Sequence, residues 1–263
     1  MSQNTAQFDI NDLIRSFEKA AKNISQSDFF HREILDRLVD RLELVKIIPQ
    51  QILVLDLNPE HCLRKLQAKY PQAKIESNTA VFGQLNYENN SVDLIFSNLL
   101  FHWAPDPEGF FQEISRVLKP NGLLMFTILG PDTLKELRFS WMAVDEFPHV
   151  HDFYDMHDIG DSLMRANLAE PVMDMEQLTI NYASTKALFE DLKNTGSVNI
   201  NTNRRKTLTG KKRFQQFLKT FEKSKINGKY AMTVEVIYGH AWGGVVRNKN
   251  EVEVSIKDIK RNV

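Results

Sequence analysis

The sequence holds one cysteine, Cys62, in 263 residues. No disulfide can form within the chain, which suits a reducing compartment. No stretch approaches the roughly 18 uncharged apolar residues of a membrane span. The segment Met1 to Asp9 is polar and lacks the apolar run of a secretory leader. A cytoplasmic protein without membrane contact is therefore expected. Neither sign of charge is in excess, with 33 Lys and Arg against 34 Asp and Glu. Phosphate binding needs a positive surplus, so no nucleic-acid partner is expected. Internal repeats and low-complexity segments are absent as well.

What is present is ordinary for a globular chain, with 42% hydrophobic and 25% charged residues. Ile10, Leu13, Ile14, Phe17 and Ala20 recur at helical spacing, and a second amphipathic helix is expected from about Phe29 to Leu44. The run Ile52 to Leu57 is short and almost wholly apolar, as in a strand covered on both faces. Pro59 suits the first turn of a helix that Pro71 ends. Val92 to Ser97 is the next strand, Pro107 to Leu118 a helix, and Leu123 to Leu129 a further buried strand after the turn at Lys119–Gly122. Beyond Gly130 helices are expected over 132–144, 155–166, 184–194 and 210–223. Strands are expected at Leu178–Tyr182 and Thr233–Trp242. Strand, helix, strand in alternation describes a doubly wound α/β sheet.

Two runs narrow the reading. Asn90-Ser91-Val92-Asp93-Leu94-Ile95-Phe96-Ser97-Asn98, continuing to Trp103, resembles the fourth strand of class I methyltransferases. Glu113 to Leu124 resembles their next helix, turn and strand. Ser16-Phe17-Glu18-Lys19-Ala20-Ala21, Gly130 to Arg138, His149 to Asp161 and Leu192 to Gly196 are similar to the malonyl-acyl-carrier-protein O-methyltransferases of biotin synthesis. Mitochondrial complex I assembly methyltransferase-like proteins share the second half. The resemblance implies a Rossmann-like, mostly parallel α/β sheet with helices on both faces. N-terminal helices would form a lid over residues 1–48. A methyltransferase domain with a helical insert would follow over 49–263, all within one structural domain. It also implies S-adenosylmethionine as methyl donor and malonyl-acyl carrier protein as partner, with a monomeric enzyme.

The resemblance fails at one place. The cofactor of this fold lies across the carboxyl ends of the first strands. Family members follow strand one with a Gly-x-Gly-x-Gly run, whose bare backbone lets the ligand approach. Here the glycine positions carry Asn58, Glu60 and Cys62, although Asp56 is retained. Only residues 72–85 lie between Pro71 and Asn86, where a complete strand–helix–strand unit needs roughly 30 residues. One strand–helix unit is expected to be missing or reduced. By the resemblance, Asp56, Leu57, Asn58 and Asn98 are cofactor-site candidates, and Glu76 is the nearby acid for the ribose. Val81 replaces the acid at the adenine end, and Ile24 a tyrosine on the substrate side.

Methylating a carboxylate needs no catalytic base, because the carboxylate is already ionised. His102 and Trp103 are candidates for the pocket wall, His102 equally for packing. Arg138 could hold a carboxylate through both oxygens, or pair with Glu136 or Asp132. Arg205 and Lys211 belong to a basic run, Arg204 to Arg213, that could dock an acidic carrier or be a solvated loop. His149, His151 and His157 match no helical metal-ligand spacing, so no metal is expected. The alternative to an enzyme is a degenerate, non-catalytic protein of this fold, or a respiratory complex I assembly factor-like protein.

Overall fold

The computed structural model describes residues 8–23, 28–80 and 83–244. Among these, Ile10–Asn23 (α1) and Phe29–Leu42 (α2) precede Gln51–Asp56 (β1), Glu60–Lys69 (α3) and Lys74–Asn78 (β2). Val92–Asn98 (β3), Pro107–Val117 (α4) and Leu118–Leu129 (β4) complete the parallel part. Lys135–Met142 (α5), Met156–Arg165 (α6), Leu168–Tyr182 (β5), Thr185–Asn194 (α7), Lys211–Phe221 (α8), Lys225–Ile226 (β6) and Lys229–Gly243 (β7) follow.

The strands form one sheet in the order β2-β1-β3-β4-β7-β5, with β6 paired to β7. β1, β2, β3 and β4 run parallel, while β7 is antiparallel to both β4 and β5. The order reverses at β1, which puts a crevice above the carboxyl ends of β1 and β3. β2 is the sheet's edge among the described residues, and the chain passes from it to β3 with no helix between Asn78 and Val92. The strand-and-helix unit beyond β2 is thus missing, as the 72–85 spacing implied. β2 carries Lys74 and Glu76, a charged pairing that suits an exposed edge.

Alternation along the strands divides the core. Leu53, Leu55, Ile95, Leu124 and Phe126 face α4 and α6 through Phe111, Ile114 and Leu163. Val54, Leu94, Phe96 and Met125 face α2 and α3 through Ile34, Leu38, Cys62 and Leu66. Each fully buried side chain of this size contributes roughly 1.5–3 kcal/mol. A third cluster joins α5, α7 and α8 to β7 through Leu137, Trp141, Leu188, Phe217 and Met232. It sits beyond the carboxyl edge of the sheet and gives the crevice its far wall.

The observed β5 is 15 residues long, where the sequence pattern marked only Leu178–Tyr182. As the other edge it buries little, and Glu170, Pro171, Asp174 and Glu176 hide its apolar alternation. No helix among the described residues is long and apolar enough to cross a membrane.

Candidate active site

Asp56 ends β1 and is fully buried. Its Oδ1 lies 3.0 Å from His31 Nε2 of α2 and accepts the Asn58 backbone N–H at 2.7 Å. Oδ2 is buried without a hydrogen-bond partner. Asn98 ends β3 and is equally enclosed. Its Nδ2 donates to the His31 carbonyl at 3.0 Å, and its Oδ1 accepts from Thr127 Oγ1 at 2.8 Å. Thr127 in turn accepts the Leu99 N–H at 2.9 Å. The three parallel strands are therefore tied at their carboxyl ends to the start of α2 by one buried polar chain. The paired atoms of this network hold the strand ends and the start of α2 together. His31 leaves its Nδ1 buried and unpartnered.

From this edge a cavity of about 360 Å³ runs toward the third cluster. His31, Leu57, Leu99, His102 and Trp103 line its inner end, and Trp141, His149, His151, Phe153 and Phe189 its far wall. Leu99 and Leu134, both in the wall, hold left-handed backbone with φ of 49° and 55°. Non-glycine residues rarely adopt that conformation except where the surroundings enforce it. Here the Leu99 N–H is bound by Thr127 and the Leu134 N–H by the Thr233 carbonyl.

The aromatic wall is built by stacking. Trp141 lies flat on His149 at 3.9 Å and on Phe217 at 4.2 Å. Trp103 is packed edge-on by Phe17 at 6.1 Å and by His151 at 5.3 Å. His149 is fixed by Asp145 at 2.9 Å, and His151 Nε2 is 3.1 Å from the Val198 carbonyl. Tyr182 donates to Asp191 at 2.5 Å, and burial with that carboxylate pushes the phenol's pKa well up. The exposed Lys193 and Val198 mark the rim.

His102 is a strongly shifted group in the cavity. Complete burial, helped by the neighbouring His151, lowers its pKa to about 3. It is a neutral imidazole at any working pH, with Nδ1 buried and unpartnered. The unfolded chain binds a proton that the folded site refuses, so stability is whole above the ordinary value of 6.5 and falls as pH drops from there toward 3. At pH 5.5 this one group is expected to remove about 1.4 kcal/mol. Urea titrations at pH 7.5 and 5.5 check it. His102→Phe should flatten the difference by that amount, and an unchanged difference would mean that His102 is not the group responsible.

Several residues stand where the sequence pattern did not place them. Glu76 pairs with Lys74 at 2.7 Å and is in register with Leu53, well short of the strand's carboxyl end. Asn78 holds that end and caps the turn to Ala80 through its side chain, so no acid stands there. Asn98 is occupied within the polar chain and positions His31. Arg138 donates to the carbonyls of Pro131 and His151, each at 2.9 Å, and so fastens the 149–153 loop. It is not among the cavity-lining residues. Arg205 is largely enclosed, paired with Asp145 at 3.1 Å and lying over Phe147. Lys211 is exposed at the first turn of α8. Glu60 is exposed and Cys62 is buried between α3 and the sheet, so neither side chain enters the cavity. Val81 and Ile24 lie outside the described residues. His31 and Trp141 carried no signal in one sequence, because each reads as one position of an amphipathic helix.

Comparisons with known proteins agree with this geometry. A family model described as a methyltransferase domain matches residues 39–126. The chain is 38% identical to "Malonyl-[acyl-carrier protein] O-methyltransferase 1" of Coxiella burnetii, covering 100% of both chains. It is 37% identical to the malonyl-[acyl-carrier protein] O-methyltransferase of Gallionella capsiferriformans, covering 92% of this chain and 94% of that one. The Coxiella alignment spans 284 positions against 263 residues here, so that relative carries residues with no counterpart in this chain. Among solved structures, one assigned as a methyltransferase from Bacillus halodurans superposes with a TM-score of 0.52 at 16% identity, over 80% of this chain and 99% of that one. That likeness is of fold.

Proposed function

The chain belongs to the malonyl-[acyl-carrier protein] O-methyltransferase family, and from that premise we propose that it methylates the free carboxyl of a malonyl thioester on acyl carrier protein. The reaction belongs to biotin synthesis, and S-adenosylmethionine is the methyl donor. A monomeric, cytoplasmic enzyme, with residues 1–48 as the lid over the cavity, is part of the same proposal. Phe30 and His31 support the lid, since both line the cavity from α2.

The observation that carries this reading is the aromatic-walled cavity at the carboxyl ends of β1 and β3. The donor's fit divides in two. At its methionine end, His31 lines the cavity with Nδ1 unpartnered, Asp56 lies behind it with Oδ2 buried and unpartnered, and Leu57 and Leu99 offer apolar contact. These residues fit an amino-acid group. At its adenosine end, the edge strand ends in Asn78, and among the described residues no acid stands at that carboxyl end for the ribose hydroxyls. When bound, S-adenosylmethionine supplies a methyl group on a good leaving group, its sulfonium.

The chain's own residues then have little acid–base work. The acceptor carboxylate is ionised at neutral pH, so rate enhancement comes from alignment and from exclusion of water. Trp103, Trp141, His149 and Phe153 enclose the acceptor. His102 is neutral, so an N–H from its ring orients the carboxylate without a charge that would blunt its nucleophilicity. The test is incubation of purified protein with malonyl-acyl carrier protein and S-adenosylmethionine, read by mass spectrometry. Formation of the methyl ester is expected, and its absence at saturating donor would overturn the assignment.

A second reading has one observation in its favour, the missing unit beyond β2 with Asn78 rather than an acid at that strand's carboxyl end. A chain so reduced would bind the carrier-borne substrate without transferring a methyl group. It predicts carrier binding with no ester formed.

A further inference from the structure

The basic residues of this chain are unevenly placed. From Arg204 to Lys229 there are ten Lys or Arg and one acid, Glu222, in a chain of near-zero net charge. Three of the ten are occupied: Arg204 by Asp12, Arg205 by Asp145 and Lys225 by Glu222. The other seven, Lys206, Lys211, Lys212, Arg213, Lys219, Lys223 and Lys229, are exposed and, among the described residues, make no ion pair. Concentrating unpaired like charges on and beside one helix opposes folding by self-repulsion, and among the described residues no acid pairs with them. Leu208, 97% exposed, stands beside them as an apolar contact within the basic field.

The position of this face bears on the cavity. The inner side of α8 carries Phe217, which stacks on the cavity-lining Trp141 at 4.2 Å. The loop leading into α8 begins at Asn199, itself a lining residue beside the rim at Val198. One helix therefore backs the cavity on one side and presents positive charge on the other.

We propose that the outer face of α8, with Lys206 and Leu208 of the preceding loop, is the docking surface for the acidic carrier protein. The carrier seated there would direct its thioester arm over the Lys193–Val198 rim into the cavity. This rests on the carrier-protein reading above. It replaces Arg205, which is fastened to Asp145, with the free lysines of the helix. Complementary charge of this kind sets encounter rate and its salt dependence more than turnover.

The test uses Lys212→Glu/Lys219→Glu, on the exposed face and clear of the core. Circular dichroism and urea unfolding establish that the variant folds. Isothermal titration of holo-acyl carrier protein should show affinity reduced about tenfold or more, with the unmodified protein's salt dependence largely lost. In turnover, KM for the malonyl carrier should rise while kcat holds, and an untethered malonyl thioester should show no such rise. An unchanged carrier affinity in the folded variant would overturn the docking surface. If neither protein forms ester, the titration still decides the surface, because it needs no methyl transfer. Titration with a single-stranded oligonucleotide is the remaining arm. Binding stronger than that of the carrier at equal ionic strength would assign the face to nucleic acid and overturn the proposal.

Discussion

A His31→Ala variant is expected to lose about 2–3 kcal/mol of stability, because a buried acceptor is left without its side-chain partner. It should also lose most of its affinity for S-adenosylhomocysteine. Asp56 Oδ1 would keep only the Asn58 backbone N–H, and Oδ2 already has no partner. The start of α2 would lose its direct side-chain tie to β1, although the His31 carbonyl would still receive Asn98. Urea unfolding of His31→Ala, Asp56→Asn and the double variant forms the appropriate cycle. The two changes should be strongly non-additive, since each removes the same contact. Independent, additive losses would show that the pair does not join α2 to the sheet.

The second large effect runs against what the family pattern suggests. Restoring glycine at position 62 is expected to destabilise the protein by about 2 kcal/mol and to leave donor affinity no better. Cys62 is fully buried inside α3 and packs in the cluster with Ile34 and Val54. Removing its side chain opens a gap, and glycine adds a helix-interior penalty of about 1 kcal/mol. By contrast Glu60 is exposed and the Asn58 side chain makes only a 3.5 Å contact with Asp28, its backbone bond to Asp56 surviving in glycine, so Asn58→Gly/Glu60→Gly should cost less than about 1 kcal/mol. Thermal unfolding together with ligand titration reads both. Tighter binding by the triple glycine variant than by the natural chain would mean that the loop alone limits the donor site.

Much of the fold was legible because its signals are local. The apolar runs at 52–57 and 92–97 have the look of strands covered on both faces, and Pro107 opens the helix after the second. The expected turn at Lys119–Gly122 is instead the start of β4, where Asn121 takes left-handed backbone within the strand. The absent unit beyond β2 was legible too, since residues 72–85 cannot supply a helix and a strand. β5 was half hidden because an edge strand with Glu170, Asp174 and Glu176 buries too little to alternate. The site was less legible. Asp56, Leu57, His102 and Trp103 sit next to strand ends, where sequence order and position coincide. The far wall comes from α5, the 149–153 loop and α7, which meet only through the packing of Trp141 on Phe217. Arg138 and Arg205 looked like binding groups because a lone sequence does not show that carbonyls and Asp145 already hold them. His31 was invisible for the same reason, as its partner lies 25 residues away across the start of the sheet.

Isothermal titration of S-adenosylhomocysteine tests the methionine end of the donor site most directly. Measurable but weak binding is expected, abolished in His31→Ala, with adenosine alone giving no heat because the carboxyl end of the edge strand, at Asn78, offers its ribose no acid. Heat from adenosine equal to that from S-adenosylhomocysteine, or none from either at millimolar concentration, would contradict it.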